Sequence, residues 1–365
     1  MEKLEFRPKP TRSEYHLPNN SRLQAYVDNI VRTGTAGIIK PGEFTDLVEH
    51  LDANKALRSL PPGLSEEDFI DTLRLSLLTE CATDTYARVF TSSAKKYEQP
   101  WLGHFIEKAW VPDELMHYLP FKTMLMQLGF SEDALDKDIM DARKTDYIHE
   151  AGTTPIHLTT FGTDQEYLTD NWYGLQYRVF RATSPKAAHM IARTKQRETL
   201  HTIWYRDLAA LQIEENPNLI AHVAEASLRF QMPGNQIVTH LQSRAAEWMS
   251  FMGADFSRMK KDLIRLTAQI TQTPDRTGRL VMEVAGQLGV EFGPISISQV
   301  HSAMNKFGSP GYGLIGEALM VIAGMKGQFA DYEQNVVNRI RGVVRTWLAR
   351  EIDKRLASQV IPIKT

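Results

Sequence analysis

Apolar residues recur at helical spacing through most of the chain, and this periodicity predicts an all-α protein. Four long segments carry the pattern, near residues 65–96, 99–128, 161–182 and 185–213. Further helices are predicted through 216–272. Alternating runs of Val, Ile and Thr, which are typical of half-buried strands, are nearly absent. The sequence therefore predicts a bundle of four long helices with extra flanking helices.

Turn-forming residues divide the chain into three parts. Residues 1–60 contain stretches such as "KPTRSEYHLPNNS" and predict an extended N-terminal arm with one short helix. Residues 61–272 hold the predicted bundle, including a long connection near 130–160 that contains a short helix. After Pro274, "GPIS" and "GSPGYG" interrupt several shorter helices, so residues 273–365 are predicted to form a C-terminal helical extension with a basic last helix.

Local signals indicate where the first two long helices begin, bend and end. Ser65 and Asp68 resemble a capping box, and the segment that follows has no Gly or Pro up to about residue 96. Pro112 and Pro120 each remove a backbone hydrogen bond from the second helix, which predicts kinks. That helix is expected to end at Gly129.

Composition and charge narrow the function classes. The chain has 365 residues and a formal net charge of -2, which gives no reason to expect nucleic acid or an anionic membrane as a partner. Its single cysteine, Cys81, excludes an intrachain disulfide and a Cys-rich metal site, and a buried helix position is its expected place. The apolar run at 311–327 is too short to span a membrane and is interrupted by Glu317 and Lys326. With an N-terminus unlike a signal peptide, these features favour a soluble cytoplasmic protein.

Two copies of Glu-x-x-His stand on separate predicted helices. They are "DELMH", with Glu114 and His117, and "RETLH", with Glu198 and His201. On a helix, residues three apart share a face, so each copy offers one oxygen and one nitrogen to a single point. In a chain of this length and composition, a single Glu-x-x-His is about as likely as not to occur by chance, and most such pairs are solvated. A second copy is less ordinary.

One further glutamate lies on each preceding helix and extends the pattern. Glu80 lies 34 residues before Glu114, and Glu166 lies 32 residues before Glu198. That spacing suits two helices joined by a turn, with both carboxylates at the same height. The result is a duplicated helical hairpin with the ligand inventory of a ferritin-like di-iron or di-manganese bundle.

The charge of this cluster favours a dimetal site. Four buried carboxylates without counter-charge would cost far too much, whereas two divalent ions carry the opposite charge and neutralise them. Carboxylates with one imidazole per metal suit two iron ions, in the Fe(II) and Fe(III) states, or manganese. The six predicted metal ligands are Glu80, Glu114, His117, Glu166, Glu198 and His201.

With these motifs, residues 65–240 resemble the soluble acyl-(acyl-carrier-protein) desaturase family. "LTECATDTY" is similar to the segment of that family's first ligand, "WVPDELMH" to its first Glu-x-x-His, and "DQEYLT" to its Gln-Glu-x-x-Thr. "RETLH" matches the position of its second Glu-x-x-His, and "QMPGN" falls where the family has Met-Pro after the bundle. Outside these motifs the identity looks low.

The resemblance assigns a role to each matched residue. It implies that Glu114 and Glu198 bridge the two irons. Glu80 and His117 would complete one iron site, and the other would be completed by Glu166 and His201. Thr169 matches a threonine that helps to deliver protons to bound dioxygen. A threonine that bonds back to a helix carbonyl is the other interpretation of Thr169.

The resemblance also implies a reaction and its partners. The reaction is the dioxygen-dependent introduction of a double bond into an acyl chain carried as a thioester on acyl-carrier protein, with electrons from a ferredoxin-type donor. Carrier proteins are acidic, so a basic docking surface is expected. Its candidates are Lys186, Arg193, Lys195 and Arg197, or the segment 258–265, although each is also typical of a solvated helix face. A homodimer is a further expectation from the family.

Several departures from the family keep two other functions open. The family has an acid immediately before the second Glu-x-x-His glutamate, where this chain has Arg197, and the segment from about 275 does not match. These differences favour, as the first alternative, a di-iron oxygenase or N-oxygenase of a specialised biosynthetic pathway. The second is an iron-handling ferritin-like protein, against which the chain's length and its lack of an acidic iron-entry run argue.

Overall fold

The computed structural model describes residues 15–40, 42, 51–216, 219, 222–223, 226–227 and 229–271. All regular elements within these residues are helical and no strand occurs among them, which confirms the all-α prediction. None of the helices in this part of the chain is long and apolar enough to cross a membrane. The predicted C-terminal helical extension at 273–365 lies outside the described residues.

The predicted N-terminal arm contains a helix that packs onto the rest of the protein. This helix, α1 (Ser21–Thr33), buries Leu23, Val27 and Ile30, which share one face at helical spacing. It contacts the second and fourth long helices. A 3₁₀ turn (Gly34–Gly37) follows, and a single-turn helix α2 (Asn54–Leu57) precedes the bundle.

The first long helix is interrupted, contrary to the prediction of one continuous helix from 65 to 96. It consists of α3 (Glu66–Glu80) and α4 (Thr83–Lys96). Side chains take the carbonyls that a continuous helix would use: Arg143 Nε donates to the Cys81 carbonyl at 2.8 Å, and Thr83 Oγ1 donates to that of Glu80 at 2.8 Å. At the start of α3, the predicted cap is present, because Ser65 Oγ accepts from the Asp68 amide at 3.0 Å.

The second long helix changes its hydrogen-bond pattern just before Pro112. It runs through α5 (Pro100–Phe105), a π-helical turn (Ile106–Trp110) and α6 (Val111–Gln127). Pro112 falls in the first turn of α6, where its missing amide hydrogen matters least, and Pro120 lies inside α6. The helix ends near Gly129, which has a φ of 98°.

The remaining elements complete the bundle and cover one side of it. The predicted short helix in the connection is α7 (Glu132–Arg143), and the third and fourth long helices are α8 (Pro155–Arg181) and α9 (Pro185–Glu215). Pro155 starts α8 six residues before the predicted position. The helices with defined bounds in the described residues that follow are α10 (Gly234–Ile237), α11 (Thr239–Gln242), α12 (Ala245–Phe251) and α13 (Phe256–Thr271).

Two separate hydrophobic clusters form the core. The first, named here the Trp110 cluster, includes Phe90, Phe105, Trp110, Phe161 and Tyr205. The second, named here the Phe121 cluster, includes Phe69, Phe121, Trp172, Tyr173 and Phe180. Each long helix contributes to both clusters, so buried polar residues at the middle of each helix lie between two apolar regions.

The order of the clusters along the chain gives the helix directions. The first long helix runs from the Phe121 cluster to the Trp110 cluster, and the second returns. The third again runs from the Trp110 cluster to the Phe121 cluster, and the fourth is antiparallel to it. The second and third long helices therefore share a direction, and residues 128–154, which contain α7, form the crossover between them.

Candidate metal centre

The six predicted ligands come together at the middle of the bundle. Glu80 is the last residue of α3, Glu114 and His117 lie on α6, Glu166 lies on α8, and Glu198 and His201 lie on α9. They form two groups whose ligand atoms lie within 4.8 Å of one another. The groups are Glu80, Glu114, His117 and Glu198, and Glu114, Glu166, Glu198 and His201. Glu114 and Glu198 thus belong to both groups.

Each histidine lies closest to the shared glutamate of the other Glu-x-x-His motif. His117 Nδ1 lies 2.7 Å from Glu198 Oε1, and His201 Nδ1 lies 2.7 Å from Glu114 Oε1. The two unshared glutamates are further away, with 3.8 Å from His117 Nδ1 to Glu80 Oε2 and 3.6 Å from His201 Nδ1 to Glu166 Oε2. The two imidazoles are nearly parallel, with centroids 5.6 Å apart and an interplanar angle of 23°. The centre is therefore close to two-fold symmetric.

The unsatisfied polar atoms test whether this site fits metal ions. All six side chains are buried, and His117, Glu198 and His201 are 0% exposed. Several of their inward atoms have no partner in hydrogen-bond geometry, even across the two histidine–glutamate contacts of 2.7 Å, although buried polar groups are normally paired. These atoms are Glu114 Oε1, both Glu198 carboxylate oxygens, His117 Nδ1 and His201 Nδ1. Lone pairs left without donors and directed at common points are what divalent cations require, so this buried cluster could hold a metal ion.

The carboxylates of the centre destabilise one another's charges. Burial, together with the charges of Glu198 and Glu114, raises the pKa of Glu80, and burial with the same two charges raises that of Glu166. Burial alone would also raise the pKa of Glu198, but the charge of His117 lowers it. The electrostatics thus favours added positive charge in the centre.

A second layer of polar residues holds the two imidazoles from outside. Asp113 Oδ2 lies 2.8 Å from His201 Nε2, and Asp113 Oδ1 lies 3.5 Å from His117 Nε2. Burial alone would raise the pKa of Asp113, but its interactions with the two nearby imidazoles lower it. Arg197 Nε donates to Asp113 Oδ2 at 2.6 Å, and its Nη2 donates to the Gly34 carbonyl at 2.8 Å.

The position of Arg197 corrects one expectation from the sequence. Arg197 was among the candidates for a basic docking surface, but it is only 5% exposed and is paired with Asp113. The physical reason is that the buried Asp113 carboxylate, beside four further acids, needs a cationic partner. Lys195, another candidate, is half-buried and pairs with Asp170 at 2.7 Å.

Two aromatic donors, which the sequence motifs alone do not assign, hold the unshared glutamates. Tyr173 donates a short hydrogen bond from its hydroxyl to Glu80 Oε1, and Trp110 Nε1 donates to Glu166 Oε1 at 3.1 Å. Trp110 stands in the "WVPDELMH" motif, four residues before Glu114. Tyr173 lies seven residues after Glu166, on the same face of α8. That helical spacing is the signal that could have identified Tyr173.

Thr169 stays apart from this network. It is half-buried on α8, three residues after Glu166, and forms no hydrogen bond with the ligands in the described part of the chain. Its predicted role remains a prediction. Cys81 is buried, as predicted, but it lies in the break between α3 and α4 and not within a helix.

Comparison with known proteins adds no family assignment. The chain matches no protein-family model, and no curated protein sequence matches it significantly.

Proposed function

We propose that this chain is a dioxygen-dependent di-iron oxidoreductase with a ferritin-like bundle, which introduces a double bond into an acyl chain carried as a thioester on acyl-carrier protein. The observation that supports this best is the pair of buried ligand groups that share Glu114 and Glu198. A glutamate from each of two helices and Glu-x-x-His from each of the other two is the ligand set of such dimetal bundles. In this proposal iron occupies both sites, and manganese is the other metal that the ligands suit.

When bound, two ferrous ions would supply the electrons and Lewis acidity that activate dioxygen for attack on an unactivated C–H bond. The residues of the chain provide the surroundings for this chemistry. Asp113 keeps a proton on His201 Nε2, which leaves Nδ1 free to bind a metal. Tyr173 and Trp110 orient the two unshared carboxylates, and the Trp110 and Phe121 clusters exclude water on both sides.

The partners in this proposal follow from the reaction class. A desaturase needs two external electrons per turnover, and a ferredoxin-type protein is the proposed donor. Thr169 is the proposed route for protons, because its hydroxyl is one helical turn from Glu166. The remaining candidates for a basic surface that would receive an acidic carrier protein are Lys186, Arg193 and the segment 258–265. A homodimer completes the proposal.

One observation favours a second function, that of a di-iron oxygenase or N-oxygenase. Arg197 replaces the acid of the desaturase family, and its guanidinium binds the Asp113 carboxylate on which both imidazoles converge. The positive charge of Arg197 stands beside Asp113, where the family has a second carboxylate. The outer layer therefore gives less electron density to the metal ligands than it would with that carboxylate. That difference bears on how the centre is reduced, and thus on whether oxygen or an alkene appears in the product.

Anaerobic reconstitution with ferrous iron tests the dimetal centre. The parent chain is expected to bind about two irons, and Glu114→Ala and Glu198→Ala are each expected to lose both because each carboxylate belongs to both ligand groups. Glu107→Ala is the matched control, since Glu107 is exposed and lies seven residues before Glu114 on the same long helix. Iron content near zero in the parent, or unchanged in both site variants, would contradict the proposal.

Product analysis then separates the two reactions. Turnover of acyl-carrier substrates with ferredoxin under oxygen-18 gas should yield an alkene without the label if the chain is a desaturase. Label in the product would identify an oxygenase instead. Uptake of many irons per chain during aerobic loading would indicate an iron-handling protein and contradict both proposals.

A further inference from the structure

A pocket with cationic and hydroxyl-bearing side chains in its lining lies away from the metal centre, beside α4. Its volume is about 350 Å³, and its walls come from α4 and from the segment that leads into α8. The residues that carry the argument are Arg88, Ser92, Lys96, Asp146, Tyr147 and Thr153. Arg88, Ser92 and Lys96 are spaced by four residues, so they lie along one face of α4.

The lining of the pocket offers hydrogen-bond donors and positive charges that are not matched by carboxylates of the same lining. Arg88 and Lys96 are exposed, and neither forms an ion pair with a carboxylate within the described residues. Lys96 Nζ lies 5.0 Å from the centroid of the Tyr97 ring. Asp146 is the one carboxylate among the described residues of the lining, so two cations outnumber it and this lining is net positive. The hydroxyls of Ser92 and Thr153 add further donors.

We infer that this pocket binds a phosphate ester. A guanidinium, an ammonium and adjacent hydroxyls supply donors from several directions to an anion with several equivalent oxygens. Arginine in particular matches the geometry of two phosphate oxygens at once. A volume of about 350 Å³ is at the lower end of the range for small-molecule sites and accommodates the head group of a larger molecule.

The pocket shares a wall with the surroundings of the metal centre. The Tyr147 ring lines the pocket and lies 5.9 Å from the buried His149 ring, which lies 6.5 Å from that of Phe90. Phe90 in turn lies 5.7 Å from Trp110, the residue that donates to Glu166. His149 is a buried polar group whose two ring nitrogens have no hydrogen-bond partner, so a ligand that reached past Tyr147 would meet an unsatisfied polar contact.

Phosphate esters could reach this pocket from two sources. One is the phosphopantetheine arm of a carrier protein, and the other is a free phosphorylated small molecule. Assigning the bound ester to the oxidised substrate rests on the proposed function. The binding itself does not, because none of the lining residues belongs to the ligand groups of the metal centre.

Calorimetric titration of the full-length, chelator-treated chain tests the inference. The probes are inorganic phosphate, pantetheine 4′-phosphate and pantetheine without phosphate. Arg88→Ala and Lys96→Ala are each expected to weaken binding of the phosphorylated probe by about tenfold, the loss typical of one charge-assisted hydrogen bond. Lys95→Ala is the matched control: Lys95 is equally exposed and adjacent in sequence but does not line the pocket, so its affinity should stay within about twofold.

The outcomes separate the inference from its alternatives. Tighter binding of pantetheine 4′-phosphate than of inorganic phosphate supports a carrier arm as the source, and equal binding supports a free phosphorylated ligand. No saturable binding, equal weakening by Lys95→Ala, or equal affinity for pantetheine without phosphate would overturn the inference. Iron content of the same variants distinguishes this failure from failure of the proposed function, since Arg88→Ala and Lys96→Ala should keep the parent's iron stoichiometry.

Discussion

At the scale of single residues, the Asp113 carboxylate lies beside both imidazoles of the centre but is hydrogen-bonded to that of His201 and not to that of His117. Asp113 lies 2.8 Å from His201 Nε2 but 3.5 Å from His117 Nε2, and Arg197 binds the oxygen that faces His201. His201 is therefore the more firmly oriented ligand of the two. The outer layer thus breaks the near two-fold symmetry of the inner ligands, which gives the two metal positions different surroundings.

Two buried tyrosines predict opposite responses to loss of a hydroxyl. Tyr173→Phe removes the donor to Glu80 and leaves a buried carboxylate oxygen unpaired, so the metal-free chain should lose about 1–3 kcal/mol of unfolding free energy. Tyr205→Phe removes a buried hydroxyl that has no partner, so it should be neutral or stabilising. Urea unfolding in the presence of a chelator measures both. Equal losses in the two variants would show that the hydroxyl of Tyr173 is not specifically used.

The six ligands could be predicted from sequence because their roles depend on helical spacing alone. Glu-x-x-His fixes a shared face, and two hairpins of similar length bring the faces to one height. The outer layer depends on contacts between helices instead. Arg197 was predicted for the surface because nothing in its local sequence indicates that Asp113, 84 residues away, lies against it. Helical spacing places Tyr173 on the Glu166 face of α8, but it does not predict that the partner of the hydroxyl is Glu80, 93 residues away on another helix.

At the scale of elements, irregularities in the first two long helices coincide with the ligands that these helices carry. The break between α3 and α4 follows Glu80 directly, and the π-helical turn ends at Trp110, four residues before Glu114. An extra residue in a helical turn rotates the faces on either side of it relative to each other. These interruptions therefore let the aromatic and aliphatic faces pack in the Trp110 cluster while the carboxylates face the centre.

Close packing of α8 against α9 predicts a contrast between two glycines. A Cβ at Gly162 would lie 2.7 Å from ring atoms of Tyr205, which is fully buried and cannot move aside, so Gly162→Ala should cost about 1–3 kcal/mol. At Gly103 the nearest atom would be Ala94 Cβ at 3.7 Å, an ordinary contact. Gly103→Ala should therefore stabilise by about 0.5–1 kcal/mol through helix propensity. Urea unfolding decides, and the reverse order of stabilities would contradict the packing argument.

The long helices were predictable because their apolar periodicity is strong, whereas their interruptions were not. The segment 65–96 has no Gly or Pro, and the break at Cys81 depends on Arg143, which reaches its carbonyl from α7, 62 residues away. Pro112 did indicate an irregularity, but a proline alone does not determine that the preceding turn is π-helical. The local sequence predicts that a helix forms, whereas contacts from other elements determine where that helix is interrupted.

At the scale of the whole molecule, the buried His149 predicts how stability depends on pH. Burial lowers the pKa of His149 to about 3, whereas an unfolded histidine titrates near 6.5. Between these values the unfolded chain takes up a proton that the folded chain does not. His149 therefore contributes a loss of stability as the pH falls from about 6.5 towards 3, on the order of 4 kcal/mol over the full window, and none above it.

His149→Phe, which keeps a ring against Phe161, should flatten this part of the pH profile. The unfolding free energy of the variant minus that of the parent should increase as the pH falls from about 6.5 to 4.5, because position 149 costs stability over this range only in the parent. His189→Phe, at an exposed helix position, is the control for the replacement of a histidine by phenylalanine. A constant difference in unfolding free energy between His149→Phe and the parent across this range would contradict the prediction, because it would mean that folding does not change the proton uptake of His149.

The buried carboxylates couple metal binding to the stability of the whole bundle. Burial and neighbouring charges raise the pKa of Glu166, so at pH 7 its ionised form opposes folding of the metal-free chain. Glu166→Gln keeps an oxygen that can accept from Trp110 Nε1 but removes that charge. With a chelator present, the variant should be more stable than the parent by about 1–3 kcal/mol.

Adding metal should reverse this order. Excess Mn(II), or Fe(II) under anaerobic conditions, stabilises the folded parent by about 4.1 kcal/mol when it is a thousandfold above the dissociation constant. Glu166→Gln should gain much less, because one ligand group has lost a carboxylate. Glu132→Gln, an exposed acid paired with Lys122, should behave like the parent in both conditions. An equal gain from metal in Glu166→Gln and the parent would contradict the assignment of Glu166 as a ligand, because loss of a ligand carboxylate weakens metal binding and so reduces the gain in stability.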